Sequence, residues 1–253
     1  MKDKRWTRRD GKRFIYETGM ILNLLAFVCV FIAFCTPHWI ISWPRVHSPF
    51  KRIGLWEVCF AGLVLETDPT QKSYHGCWWT LAPEFINIRM WLMPPWFIYT
   101  QLNVSLCFIA YGVVFIIELI NWVQTGKTQR NPNKKRSDKL ALIQTACGLT
   151  VGSAIAMSIN MLVFAICYRF DRYYLPIPFF NYLSWSYGLA LLSTFFQVFA
   201  SIAQITYVLI VRQEMREPPA PPTVPLSGLL PTKGGKGPMA LGSHRLVEKG
   251  EKA

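Results

Sequence analysis

Residues 54–60 read GLWEVCF, a glycine, a buried-type apolar residue, a tryptophan and a cysteine within seven positions. They follow the first long apolar run of the chain and precede a second cysteine, Cys77. Whether they are a loop-to-strand transition in a soluble domain or the foot of a structure standing on a membrane depends on what flanks them. Outward from this stretch, no Asp, Glu, Lys or Arg occurs in residues 18–44, 90–117, 140–168 or 173–211. A bilayer core of roughly 30 Å is crossed by about 20 apolar helical residues, and each block reaches that length. Four transmembrane helices are therefore predicted, at about 19–41, 96–123, 140–168 and 182–211. The fourth is trimmed from its block because Pro176 and Pro178 argue for loop.

The first block has basic residues before an apolar core, as a secretory signal does. Its core is followed by CTPHWII rather than by a small-residue cleavage site, so it reads as an uncleaved anchor. Of the 27 Lys and Arg residues, 20 fall in residues 1–17, the loop at about 124–139 and the tail from 212. Cytoplasmic segments carry such an excess, so both termini are expected in the cytoplasm. The loops at about 42–95 and 169–181 then lie outside. The formal net charge of +13 mostly expresses this bias, with NKKRSDK placed where anionic headgroups attract it. The basic residues flank helices and form no reading scaffold, which argues against a nucleic-acid partner.

Five cysteines, at 29, 35, 107, 147 and 167, fall in helices, where a thiol behaves as a small apolar side chain. Cys59 and Cys77 alone lie in the first outer loop, in an oxidising compartment, and a disulfide between them is expected. Closing a loop of that length contributes about 3 kcal/mol on the chain-entropy account. RIGLWEVCFAGLVLE and SYHGCWWTLA, separated by the turn-formers TDPTQKS, read as two antiparallel strands tied by the bridge. The fold expected is an all-α four-helix membrane bundle carrying a small extracellular antiparallel sheet on its first outer loop.

Chemistry is sparse. Glu118 is the only carboxylate within the apolar bundle and sits toward the cytoplasmic end of the second helix, within reach of the interface or the basic loop. His47, Cys59, His75 and Cys77 lack the paired spacing of a structural zinc site. The sequon Asn103-Val104-Ser105 falls inside a helix. No catalytic residue, cofactor site or metal site is predicted, and the chain is not read as an enzyme. On the third helix, Gly148, Gly152 and Ala156 recur every four residues; they either let a neighbouring helix approach closely or are scattered small residues in an apolar helix. Residues 212–253 are rich in Pro and Gly and are expected to be a disordered cytoplasmic tail. PPAPP at 218–222 offers an extended proline segment to a cytoplasmic adaptor, or is plain tail.

Trp39 in TPHW, then Gly54-Leu55-Trp56, then Cys59 and Cys77, resembles the claudin signature of Trp, Gly-Leu-Trp, Cys and Cys on the first extracellular segment. Arg89, just before the second helix, and WSYGLALLSTFFQVFASI in the fourth agree with that resemblance, which covers residues 18–211. The superfamily also holds peripheral myelin proteins and calcium-channel gamma subunits. The 17 residues between Cys59 and Cys77, the ending Glu251-Lys252-Ala253 in place of a Tyr-Val-type terminus, and the basic segment 1–17 depart from vertebrate claudins and point to a divergent, invertebrate-type member. The resemblance implies a plasma-membrane protein of tight or septate cell-cell junctions. It would associate with itself or with other claudin-like proteins in cis and in trans, contact membrane lipid, and contribute to adhesion and the paracellular barrier. The same scaffold also serves auxiliary gamma-type subunits of channels or receptors and peripheral-myelin-type membrane organisers, so those readings stay open here.

Overall fold

The computed structural model describes residues 8–125, 132–171 and 175–216. In chain order it contains α1 (Arg8–Cys35), β1 (Ile40–Ser42), β2 (Phe50–Ile53), β3 (Glu57–Leu63), β4 (Tyr74–Trp79), a 3-10 turn (Pro83–Phe85), α2 (Arg89–Leu92), α3 (Pro95–Thr125), α4 (Pro132–Phe170), a second 3-10 turn (Pro178–Phe180), β5 (Asn181–Leu183) and α5 (Trp185–Arg216). Among the described residues, four helices are long and apolar enough to cross a membrane: Asp10–Cys35, Pro95–Val123, Leu140–Phe170 and Trp185–Glu214.

These helices close a ring in which α1 packs on α3 and α5, and α4 packs on the same two. On the outside of the ring, Leu102, Leu106, Ile109, Val113 and Ile116 of α3 are all exposed. Their spacing of three and four residues makes a continuous apolar stripe suited to contact with lipid. Asn23, Thr150, Asn160, Ser193 and Gln197 are buried instead, facing the interior. Polar groups inside and apolar groups outside is the arrangement expected when the solvent is hydrocarbon.

The bounds differ from the sequence expectation at both ends of the first span. Helix α1 begins at Arg8, so residues 8–17 are helical rather than a separate basic segment. It ends at Cys35 rather than near 41. The Thr36 amide and hydroxyl both bond back to the Ile32 carbonyl, at 3.1 and 2.7 Å, and Pro37 brings no amide to continue the helix. Residues 40–42 then become β1. Likewise α4 starts at 132, within the expected loop 124–139, and α5 runs from 185 to 216 because residues 181–183 are β5. The tail beyond 216, with its PPAPP segment, lies outside the described residues.

One antiparallel sheet of five strands, in the order β4-β3-β2-β1-β5, sits at one end of the bundle. Two strands were expected from the first loop. That loop supplies three, β1 arises from residues assigned to the first helix, and β5 comes from the loop between α4 and α5. Ile40 pairs with Leu183 and Ile41 with Tyr182, so the two loops share a single sheet. Cys59 and Cys77 face each other across the β3–β4 ladder and are joined in a disulfide.

Candidate functional site

The residues around GLWEVCF form the joint between sheet and bundle. Trp39 is fully buried: its indole N–H donates to the Ala33 carbonyl at 2.8 Å, and its ring meets Phe164 edge-on at 5.1 Å. Its amide takes the Ile53 carbonyl and its carbonyl accepts from Ser184, so one residue ties α1, β2 and the start of α5. At Gly54 a Cβ atom would lie 2.4 Å from Pro37 Cα and 2.8 Å from the Thr36 carbonyl oxygen. Only glycine lets the β2–β3 turn come this close to the segment leaving α1. The turn closes through the Gly54 amide on the Glu57 carbonyl at 2.8 Å. Leu55 is buried, and its carbonyl accepts the side-chain amide of Gln101 on α3. Trp56 packs edge-on against Phe34 of α1, ring centres 5.3 Å apart; such pairs contribute about 0.5–1.5 kcal/mol beyond the area they bury. Arg89 donates to the Leu81 and Ala82 carbonyls at 3.3 and 3.4 Å, holding the strand that leaves β4 against α2.

The structure therefore brings Trp39, Gly54, Leu55, Trp56, Cys59, Cys77 and Arg89 to one end of the bundle, as fasteners rather than as a reactive constellation. Glu57, Cys59 and Cys77 do lie together. Both sulfurs are committed to the disulfide, which leaves no thiolate to hold a metal.

Gly148, Gly152 and Ala156 are a separate matter. A Cβ at Gly148 or Gly152 would meet nothing within 4 Å, so those two positions make no close helix contact among the described residues. Ala156 alone packs against the core.

Two clusters carry polar order that sequence spacing did not reveal. In the β3–β4 connection, Asp68 is 1% exposed and accepts from the Thr70 amide at 2.9 Å, the Thr70 hydroxyl at 2.7 Å, the Tyr74 hydroxyl at 2.8 Å and the Asn87 amide at 3.4 Å. These donors, Thr70 first, hold its carboxyl down at about 2, while burial and then Asp68 push Tyr74 up to about 12. Within the bundle, Glu118 is buried rather than at the interface, and it meets no basic side chain among the described residues. Asn23 of α1 donates to it at 3.0 Å, Gln204 of α5 donates to its other oxygen, and Thr150 of α4 donates to Gln204 at 2.9 Å. One carboxylate on α3 thus ties all four helices. The signal in the sequence was its isolation among apolar residues; its partners are 86 and 95 residues away.

Exposed apolar groups stand in the segments that follow β4 and precede β5, the two edge strands of the sheet. After β4, Met90 of α2 is 89% exposed and Ile86 is 68% exposed. Before and along β5, a cavity of about 530 Å³ is lined by Tyr168, Leu175, Phe179 and Tyr182 together with the polar Arg169, Asp171 and Asn181. The loop here is held in a tense shape. Ile177 has φ of 50°, a left-handed conformation that β-branched residues rarely adopt. Anchors surround it: Tyr168 donates to the Asn181 carbonyl at 2.6 Å, Asn181 to the Pro176 carbonyl at 3.0 Å, and the Trp43 amide to the Phe180 carbonyl at 2.8 Å. Phe179 is left 76% exposed at the rim.

A family model described as PMP-22/EMP/MP20/claudin tight junction matches residues 24–206, a stretch reaching from α1 through the sheet into α5. Comparison with curated proteins returned no match.

Proposed function

This chain belongs to the PMP-22/EMP/MP20/claudin family, and from that premise we propose that it is a non-catalytic junction protein whose copies associate edge to edge in one membrane and face their counterparts on a neighbouring cell. The observation that carries this reading is an exposed apolar knob, Met90, in the segment after β4 and a cavity with aromatic walls in the segment before β5, β4 and β5 being the two edge strands of one sheet. Methionine is unbranched and adaptable, suited to filling an irregular apolar pocket. A knob on one edge meeting a cavity on the other is a head-to-tail contact, which generates an open row when the rotation between neighbours does not close a ring. Rows of this kind are what a continuous seal between cells requires.

The sheet faces the extracellular side in this reading, and both termini face the cytoplasm. A disulfide belongs to an oxidising compartment, and most of the basic residues lie at the opposite ends of the helices. The first loop carries five basic and four acidic residues between Ser42 and Pro94, which favours a seal of tight- or septate-junction type over a strongly ion-selective pore.

Expression of a tagged full-length chain in cells lacking such junctions tests the reading. Concentration at borders between two expressing cells, and not at borders with non-expressing cells, is expected. Uniform surface distribution together with co-purification of a channel would overturn it in favour of an auxiliary-subunit role.

A further inference from the structure

The sheet end of α1 and the β3–β4 edge enclose a second cavity, of about 250 Å³, lined by Phe34, Cys35, Trp56, Glu57, Trp78 and Trp79 among others. It is distinct from the cavity beside β5. Its walls combine Trp56, Trp79, Phe34 and the carboxylate-bearing Glu57 with Cys35, Thr36, Pro37 and Cys77. Glu57 and Trp79 are directly opposite each other in the β3–β4 ladder, so their side chains leave the same face of the sheet. Trp79 is 57% exposed. The Glu57 carboxylate meets Arg52 Nη2 at 3.8 Å through Oε1, and among the described residues no donor bonds Oε2. The Trp56 indole N–H is buried without a hydrogen-bond partner. Helix α1 ends here with no basic residue in its last turn, so the negative end of its dipole has no helical cation to offset it.

Aromatic faces, a carboxylate and a helix C-terminus all favour a cation, and a box of rings with a single acid favours one that needs no hydrogen bonds. A primary ammonium brings three donors and would leave some unmet here. The cavity adjoins the end of a helix long and apolar enough to cross a membrane, and the headgroup region begins where such a span leaves the hydrocarbon. Its volume is below the roughly 300–1,000 Å³ of pockets for drug-sized ligands, in scale with a headgroup. We propose that this cavity binds the choline headgroup of a membrane phospholipid, its quaternary ammonium set between Trp79, Trp56 and Glu57. The protein would then be seated on choline lipids at its sheet side, with the edges of the sheet free to meet neighbouring copies.

Native mass spectrometry of the full-length protein in detergent tests this. The probes are phosphatidylcholine, phosphatidylethanolamine and phosphatidylglycerol with identical acyl chains. The wild type is expected to retain phosphatidylcholine at least about fivefold better than phosphatidylethanolamine, as recognition by an aromatic cage implies. Choline chloride should displace it, which separates headgroup binding from acyl-chain seating. Glu57→Gln and Trp79→Leu, both at part-exposed positions, should each bring the ratio near one while the disulfide and the thermal unfolding midpoint stay as in the wild type. Equal retention of the two lipids by the wild type, tightest retention of phosphatidylglycerol, or an unchanged ratio in both variants would overturn the proposal. Tryptophans that merely anchor in the interface would leave Glu57→Gln without effect. The readout needs neither cell contacts nor a given orientation, so its failure would leave the junction reading intact.

Discussion

Gly54 shows how a family motif becomes physics at one residue. Its value lies in what is missing: a Cβ there would lie 2.4 Å from Pro37 Cα, backbone that cannot swing aside as a side-chain tip can. Gly54→Ala must push the β2–β3 turn off the segment leaving α1, straining the Trp39 amide bond to Ile53 and the grip of Gln101 on Leu55. Overpacking of this kind costs about 1–3 kcal/mol, so a thermal unfolding midpoint several degrees lower is expected for purified Gly54→Ala. A midpoint equal to that of the wild type would show that the approach is not tight. The sequence presented Gly54, Leu55 and Trp56 as a motif without saying what each touched. Their partners, Pro37, Gln101 and Phe34, are brought in by the packing of α1 and α3, which no local pattern encodes.

At the scale of elements, the legible parts were those that a local rule determines. The four spans follow from blocks free of charge, and the bridge follows from two cysteines in one outer loop. The short strands did not show. Ile40–Ser42 and Asn181–Leu183 are three residues each and sit inside or beside apolar runs, where neither helical nor strand periodicity can be read. They are strands because they pair with each other across 140 positions. The β3–β4 connection makes the same point with a measurable consequence. TDPTQKS was readable as a turn, but its organising carboxylate, Asp68, takes donors from Thr70, Tyr74 and Asn87. Because the folded state holds the Asp68 carboxyl at about 2, below its ordinary value of 3.8, the unfolded loop binds the proton more readily than the folded one. The resulting stabilisation is fully present above pH 4 and is lost as pH falls through 2. Protection of this connection from hydrogen exchange should therefore decline between about pH 4 and 2, and Asp68→Asn should flatten that decline. Identical pH profiles for the two proteins would contradict the assignment.

The whole molecule joins a ring of four helices with an apolar outer face to a sheet assembled from both loops, with exposed apolar groups in the segments next in sequence to its two edge strands. Phe179, carried on the loop before β5, and the protruding Met90 expose apolar surface that a second copy of the chain would cover under the proposed assembly. They fit a protein completed by copies of itself. Freeze-fracture electron microscopy of contacts between cells expressing the full-length chain tests this most directly. Continuous rows of intramembrane particles are expected for the wild type. Met90→Asp, a change at a side chain 89% exposed, should reach the surface in equal amount and yield scattered particles. Rows that persist unchanged in Met90→Asp, or scattered particles in the wild type, would contradict edge-to-edge assembly.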